Sequence, residues 1–319
     1  MMEDINVYLT SRIKTILARE IACLKVELHR RLGEVGRRRL DPRLVDYFLE
    51  THLATQKPKI ISMQRDDLVF YTLSDTPEDD LQPVIQEKLT LYQTATRLKD
   101  SPPNVESVHR MFLTAARRAS KQRPYARLRL DLPGAPAQST YAFRGLCLED
   151  RTAFTLFISN DLGWIYPHSL AIWAPLSHCS TGEITVPVII GRYFHPSCFS
   201  LFKTLGILGH QTYKVYFSPK VWPDFDRLRT GLGFTTASTA SPEDRHASFF
   251  AHTLSKHSQA AFTNFNQLSA IISQFAIEEA LADVNLDASL RLERFLSRLP
   301  PTKRVERLRD DARGAWKSL

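Results

Sequence analysis

The sequence predicts a mixed α+β to α/β fold. An N-terminal winged-helix-like helical module leads into a mixed-sheet α/β core built around a βαβ unit, and a helical tail follows. Three observations carry this. Residues 184–217 read as an apolar strand (184–190), an amphipathic helix (197–208) stopped at Gly209, and a second β-rich strand (212–217); a parallel pair joined in this way has to be covered by helices. The first 75 residues give the order helix, helix, capped helix, hairpin. From residue 243 onward helical spacing dominates. These shifts set boundaries at 1–75 (winged-helix-like module), 76–130 (helical connector with a basic run), 131–235 (α/β core) and 236–319 (helical region).

Taken in order, Val7, Leu9, Ile13, Ile16, Leu17, Ile21, Leu24, Leu28 and Leu32 recur near the helical period, giving one or two amphipathic helices that end at Gly33. Asp41 and Pro42 then mark a helix start, as N-cap and first helical residue. Strands at 60–63 and 68–73 turn through Arg65, Asp66 and Asp67. The acidic stretch 74–80 closes the module, and helices follow over 81–98 and 105–118. In the core, 141–148, 153–159 and 168–173 read as strands and 226–230 as a short helix. Small polar residues make 231–248 an exposed loop. Helices are predicted over 243–254, 260–281, 287–299 and 302–317, the third of them ended by Pro300 and Pro301.

Charge narrows the function classes. Of the 319 residues, the first 130 carry 23 Lys and Arg against 17 Asp and Glu, while residues 131–225 carry six of each. A basic N-terminal half and a pI near 9.3 suit a polyanionic partner. The expected function is therefore nucleic-acid binding, with double-stranded DNA as the partner. The candidate contacts are Arg37, Arg38, Arg39 and Arg43 at the capped helix, and Lys57, Lys59 and Arg65 around the hairpin. Arg117, Arg118, Lys121, Arg123, Arg127 and Arg129 add a dense basic run, with Tyr125 as a stacking ring.

One alternative is a metal-dependent nuclease of restriction-endonuclease-like type, active or degenerate. Asp161 and Glu183 would hold Mg²⁺ and Lys214 would polarise the phosphate, although Thr185 stands where such a core carries its lysine. Another is a non-catalytic subunit of a nucleoprotein complex, docking protein partners through its C-terminal helices. Apart from that conditional Mg²⁺, no cofactor is expected: there is no GxGxxG and no Walker lysine. His168, His178, His195 and His210 fall near Cys179 and Cys198, but without the paired short spacing of a zinc site. His246, His252 and His257 read as incidental, and Arg192 as a cation just past a strand's carboxyl end. Four scattered cysteines and no apolar leader or spanning segment give the expectation of a cytoplasmic or nucleoid-associated protein.

Overall fold

The computed structural model describes residues 2–34, 40–52, 59–122, 128–131, 141–147, 150–181, 183–281 and 288–314. Helix and sheet are mixed, as the sequence predicts. The described residues gather into two compact units, one drawn from Met1–Leu98 and Asp224–Thr236, the other from Lys99–Pro223 and Ala237–Gly314.

The first unit opens with α1 (Met2–Glu20), β1 (Ala22–Leu24), α2 (Lys25–Gly33), α3 (Pro42–His52), β2 (Ile60–Arg65), β3 (Leu68–Leu73) and α4 (Glu78–Lys99). The helical run expected over 5–32 breaks where Ile21 takes a left-handed backbone, φ 64°. The next three residues pair antiparallel with β3, Ala22 opposite Thr72 and Leu24 opposite Phe70. The sheet order is therefore β1-β3-β2, with β3 central. Asp66 and Asp67 carry the hairpin loop at φ 46° and 63°. That left-handed pair has the twist a two-residue hairpin needs, and Asp tolerates it. At the start of α3 the Arg43 backbone N–H donates to Asp41 Oδ1 at 2.9 Å, the N-cap bond expected from the sequence. Leu9, Ile13, Ile16 and Leu17, spaced along one face of α1, pack with Leu28, Leu32, Val45, Phe48 and Tyr71 to form the core.

The second unit contains α5 (Pro102–Gln122), β4 (Leu128–Asp131), β5 (Tyr141–Cys147), β6 (Thr152–Ser159), α6 (Leu170–Ser180), β7 (Val186–Gly191), α7 (Pro196–Leu205), β8 (Leu208–Gln211) and β9 (Val215–Phe217). The chain then supplies α8 (Arg227–Leu232), which belongs to the first unit, followed by β10 (Thr236–Ser238). It continues with α9 (Asp244–Ser248), a π-helical turn (Phe249–Leu254), α10 (Ser255–Leu281), α11 (Ala288–Arg298) and α12 (Lys303–Ala312). The sheet runs β4-β5-β6-β7-β8, antiparallel from β4 to β6 and parallel from β6 to β8. β7 is buried along its whole length. Val186, Val188 and Ile190 enter one core with Phe143, Phe154 and Phe250, and Ile189 enters the other with Ile172, Leu201 and Phe265. This is the period-two alternation of a strand covered on both faces.

Three expectations need correcting. Residues 168–173 do not form a strand: α6 starts at Leu170, after Ser169 in an extended N-cap conformation. An apolar run of that length fits helix or strand equally, and the parallel β6–β7 pair requires a crossover helix. The return strand of the βαβ unit is β8 and not 212–217, because Gly206, at φ 73°, ends α7 three residues before Gly209. Tyr213, at φ 62°, then separates β9, which pairs with β10 outside the main sheet. Finally, 231–248 is not an open loop, since it holds β10 and α9 and buries His246 and Ala247. Among the described residues no helix is long and apolar enough to cross a membrane.

Gly206 marks where the βαβ unit meets α10. A Cβ there would clash with the Ala261 carbonyl oxygen, and the backbone is left-handed as well. Gly206→Ala is expected to lose more than the about 1–2 kcal/mol of the left-handed penalty alone. Gly163→Ala, where a Cβ meets nothing within 4 Å, should change stability by less than about 0.5 kcal/mol. Urea unfolding of the two variants checks this, and equal losses would refute it.

Candidate functional site

In the first unit, α3 and the hairpin carry the predicted contacts that fall on described residues. Arg43 is committed: its Nη2 lies 2.7 Å from Asp41 Oδ2 and its Nε also bonds that carboxylate, so the N-cap residue holds it. Tyr47, Glu50 and Thr51 are exposed on α3. Lys59 and Arg65 are exposed at the two ends of β2, and Arg65 adjoins the hairpin loop. Arg37, Arg38, Arg39 and Lys57 lie outside the described residues.

A second group of cations in this unit escaped the sequence reading. Arg12, Arg19, Arg30, Arg31 and Arg229 line a cavity of about 360 Å³, together with Thr15, Ile16 and Gly233. Part of the signal was local, since Arg12 and Arg19 are seven apart and share one helix face. Arg229, about two hundred residues farther on, could be joined to them only by the fold.

In the second unit, Arg117, Arg118 and Lys121 are exposed along the last turns of α5, and Arg118 reaches the Pro242 carbonyl at 3.4 Å. Arg129 lies on β4 opposite Leu146. Arg123, Tyr125 and Arg127 lie outside the described residues.

The structure does not bring Asp161, Glu183 and Lys214 together. Asp161 follows the carboxyl end of β6 and Glu183 precedes the amino end of β7, while the two strands run parallel with Phe154 opposite Val186 and Ser159 opposite Gly191. The five residue rises between those pairs alone span about 16 Å. Each group has a local partner: Asp161 with Lys99 at 3.4 Å, Glu183 with Arg144 at 3.4 Å, and Lys214 with Glu243 at 3.0 Å. Among the described residues no three His, Cys, Asp or Glu side chains gather as a metal would require. Arg192, at the carboxyl end of β7, is 1% exposed and donates to the carbonyls of Asp161 (3.1 Å) and Leu162 (2.6 Å). Its charge fastens the loop after β6.

His246, taken as incidental from its spacing, is fully buried and central. His210 Nε2 lies 2.9 Å from its Nδ1, Tyr216 Oη lies 2.8 Å from its Nε2, and Tyr216 donates to Glu243 Oε1 at 3.1 Å. With the Tyr216 hydroxyl donating to Glu243, one direction satisfies every link: His210 Nε2–H to His246 Nδ1, then His246 Nε2–H to Tyr216 Oη. Both imidazoles are then neutral. Burial pushes His210 down to about 3, helped by the charges of His246 and Arg245. Burial likewise takes His246 to about 4, Glu243 opposing and Arg245 and Lys214 assisting. Lys214 and Arg245 pair with Glu243 at 3.0 and 3.1 Å, closing the chain at its acidic end. The π-helical turn follows directly and lays Phe249 over His210, with ring centroids 4.6 Å apart.

Comparison with protein-family models, curated proteins and solved structures gives no match to this chain.

Proposed function

We propose that this protein binds nucleic acid, double-stranded DNA in the first instance, through a winged-helix-like first unit. The Arg-rich stretch 117–129 adds phosphate contacts. One observation supports the reading above others: the order α1, β1, α2, α3, β2, β3, with β1 closing the sheet on the far side of β3 from β2. That order supports reading α3 as the second helix of a helix-turn-helix and the β2–β3 loop as its wing.

The chemistry divides between the two elements. α3 exposes Tyr47 and Glu50, and a glutamate there is suited to accept from a cytosine amino group. The candidate phosphate contacts are the exposed cations of the hairpin, Lys59 and Arg65, and Arg37, Arg38 and Arg39, which precede α3 in the sequence. Phosphodiester hydrolysis is not part of the proposal, because Asp161 and Glu183 stand at opposite ends of the strand ladder.

Salt titration of duplex binding tests it. Each phosphate contact contributes a slope of about −0.9 in log affinity against log salt. Changing Arg37, Arg38 and Arg39 together to alanine should weaken binding at about 50 mM salt by at least tenfold and flatten that slope by about two to three contacts. No affinity at low ionic strength, or identical slopes for parent and variant, rejects the reading.

A further inference from the structure

We infer that the arginine-lined cavity of the first unit is a binding site for a phosphoanhydride chain, the tri- or polyphosphate group of a small ligand. The inference does not rest on the DNA reading, since the cavity is lined by α1, α2 and α8 and not by α3 or the hairpin.

The cavity has a floor and a rim. Arg30 and Arg31 form the floor, with side chains only 12% and 14% exposed, and exposed Arg12, Arg19 and Arg229 form the rim. Arg31 is aimed by carboxylates, Glu20 at 3.0 Å and Glu27 at 2.8 Å. Arg30 donates to Thr235 Oγ1 at 3.4 Å and lies 4.0 Å from Glu34. Gly233 makes this arrangement possible: it caps α8 at φ 70°, and a Cβ there would come within 2.6 Å of Arg30 Nη1 and 3.5 Å of the Arg31 guanidinium carbon. Glycine takes that left-handed backbone without strain and leaves room for the floor guanidinia over the turn.

The charge balance stays positive. Five guanidinia and the neighbouring Lys88 ammonium face three carboxylates, Glu20, Glu27 and Glu34. Arg19, Arg30, Arg31 and Arg229 occupy last turns of α1, α2 and α8, where each helix end adds about half a negative charge. Those ends temper the repulsion without cancelling it. Arg12 and Arg229 have no ion-pair partner among the described residues, so their charges are available to a ligand.

The ligand class follows from shape and donor type. Planar guanidinium forks match the paired oxygens of phosphate, and several forks facing one space favour several linked phosphates over one. At about 30 Å³ per water-sized atom, the space holds about a dozen heavy atoms, roughly those of a triphosphate chain. Among the described residues no aromatic ring lines it, so none of them stacks a base there.

Isothermal titration of the full chain with inorganic tripolyphosphate and, separately, with ATP at about 50 mM salt tests the site against two variants. Arg12→Ala with Arg229→Ala removes two exposed rim cations. Lys203→Ala with Lys220→Ala removes two exposed cations of the second unit. The rim variant should weaken tripolyphosphate binding at least tenfold, and the control should match the parent within about twofold. Tighter binding of tripolyphosphate than ATP would identify a free phosphate chain as the ligand; ATP binding as tightly or more tightly would identify a nucleotide. No binding of either probe, or equal weakening in both variants, overturns the site.

Discussion

Glu27→Ala should cost about 3–5 kcal/mol of folding stability, among the largest single effects expected in this protein. Glu27 is fully buried, and the Lys88 ammonium, 7% exposed, lies 3.0 Å from both of its oxygens while donating to the Ala22 carbonyl at 2.7 Å. Truncation leaves that ammonium out of water with one carbonyl and the Glu20 carboxylate 3.7 Å away. It also takes from Arg31 the closer of its two carboxylates. The cost is that of a stranded charge, so removing both ends is the informative control. Glu27→Leu with Lys88→Met replaces the pair by apolar groups of similar volume and should recover most of the loss. Urea unfolding at neutral pH measures both. A loss below about 1 kcal/mol for Glu27→Ala would show that water reaches the ammonium, and no recovery in the double variant would show that the loss is not that of a stranded charge.

Glu27 also illustrates what was readable in advance. Features fixed by neighbours in the chain could be read: the Asp41–Pro42 start of α3, the Asp66–Asp67 loop, the apolar run that becomes β7, and the helix that follows it. Each depends on capping, turn or period rules acting within a few residues. Features decided by distant partners could not. α6 is apolar on every side, so its period is blurred, and only the parallel pairing of β6 with β7 makes it a helix. β8, with the sequence LGHQ, is short and poor in β-formers, and is held by its ladder to β7. The cationic cavity needs Arg229 beside Arg30 and Arg31, and the histidine chain needs His210 and Tyr216 beside His246. Spacing arguments on one helix treat such residues as surface. Arg192 shows the converse: its place just past a strand's end reads as a solvent-exposed turn cation in preference to a ligand contact, and the fold buries it against backbone carbonyls.

The histidine chain gives the second large effect, and it depends on pH. His210 and His246 are held neutral in the folded protein, at about 3 and about 4, mainly by burial. In the unfolded chain each titrates near about 6.5. The unfolded state therefore binds more protons below that value, and stability falls as pH falls. The contribution is intact above about pH 6.5 and is lost at about 1.4 kcal/mol per pH unit for each histidine on the way down. Each unfolded histidine is already half-protonated at about pH 6.5, so between pH 6.5 and 4.5 the loss amounts to about 2.2 kcal/mol each and about 4.5 kcal/mol together. Glu243 titrates below most of this window: burial raises it, but Lys214 and Arg245 hold it under the ordinary carboxylate value. His246→Phe isolates the term. A ring of similar shape stays beside Phe112, whose centroid lies 4.8 Å from that of His246, and one titrating group disappears. Its stability at pH 8 should be lower, because His210 loses its acceptor and Tyr216 a donor. Its loss from pH 6.5 to 4.5 should nevertheless be smaller than the parent's by about 2–3 kcal/mol. His109 and His178, also lowered by burial, titrate alike in both proteins and cancel. Urea midpoints collected across that range decide the matter, and parallel curves for parent and variant would mean that His246 is already protonated in the native state.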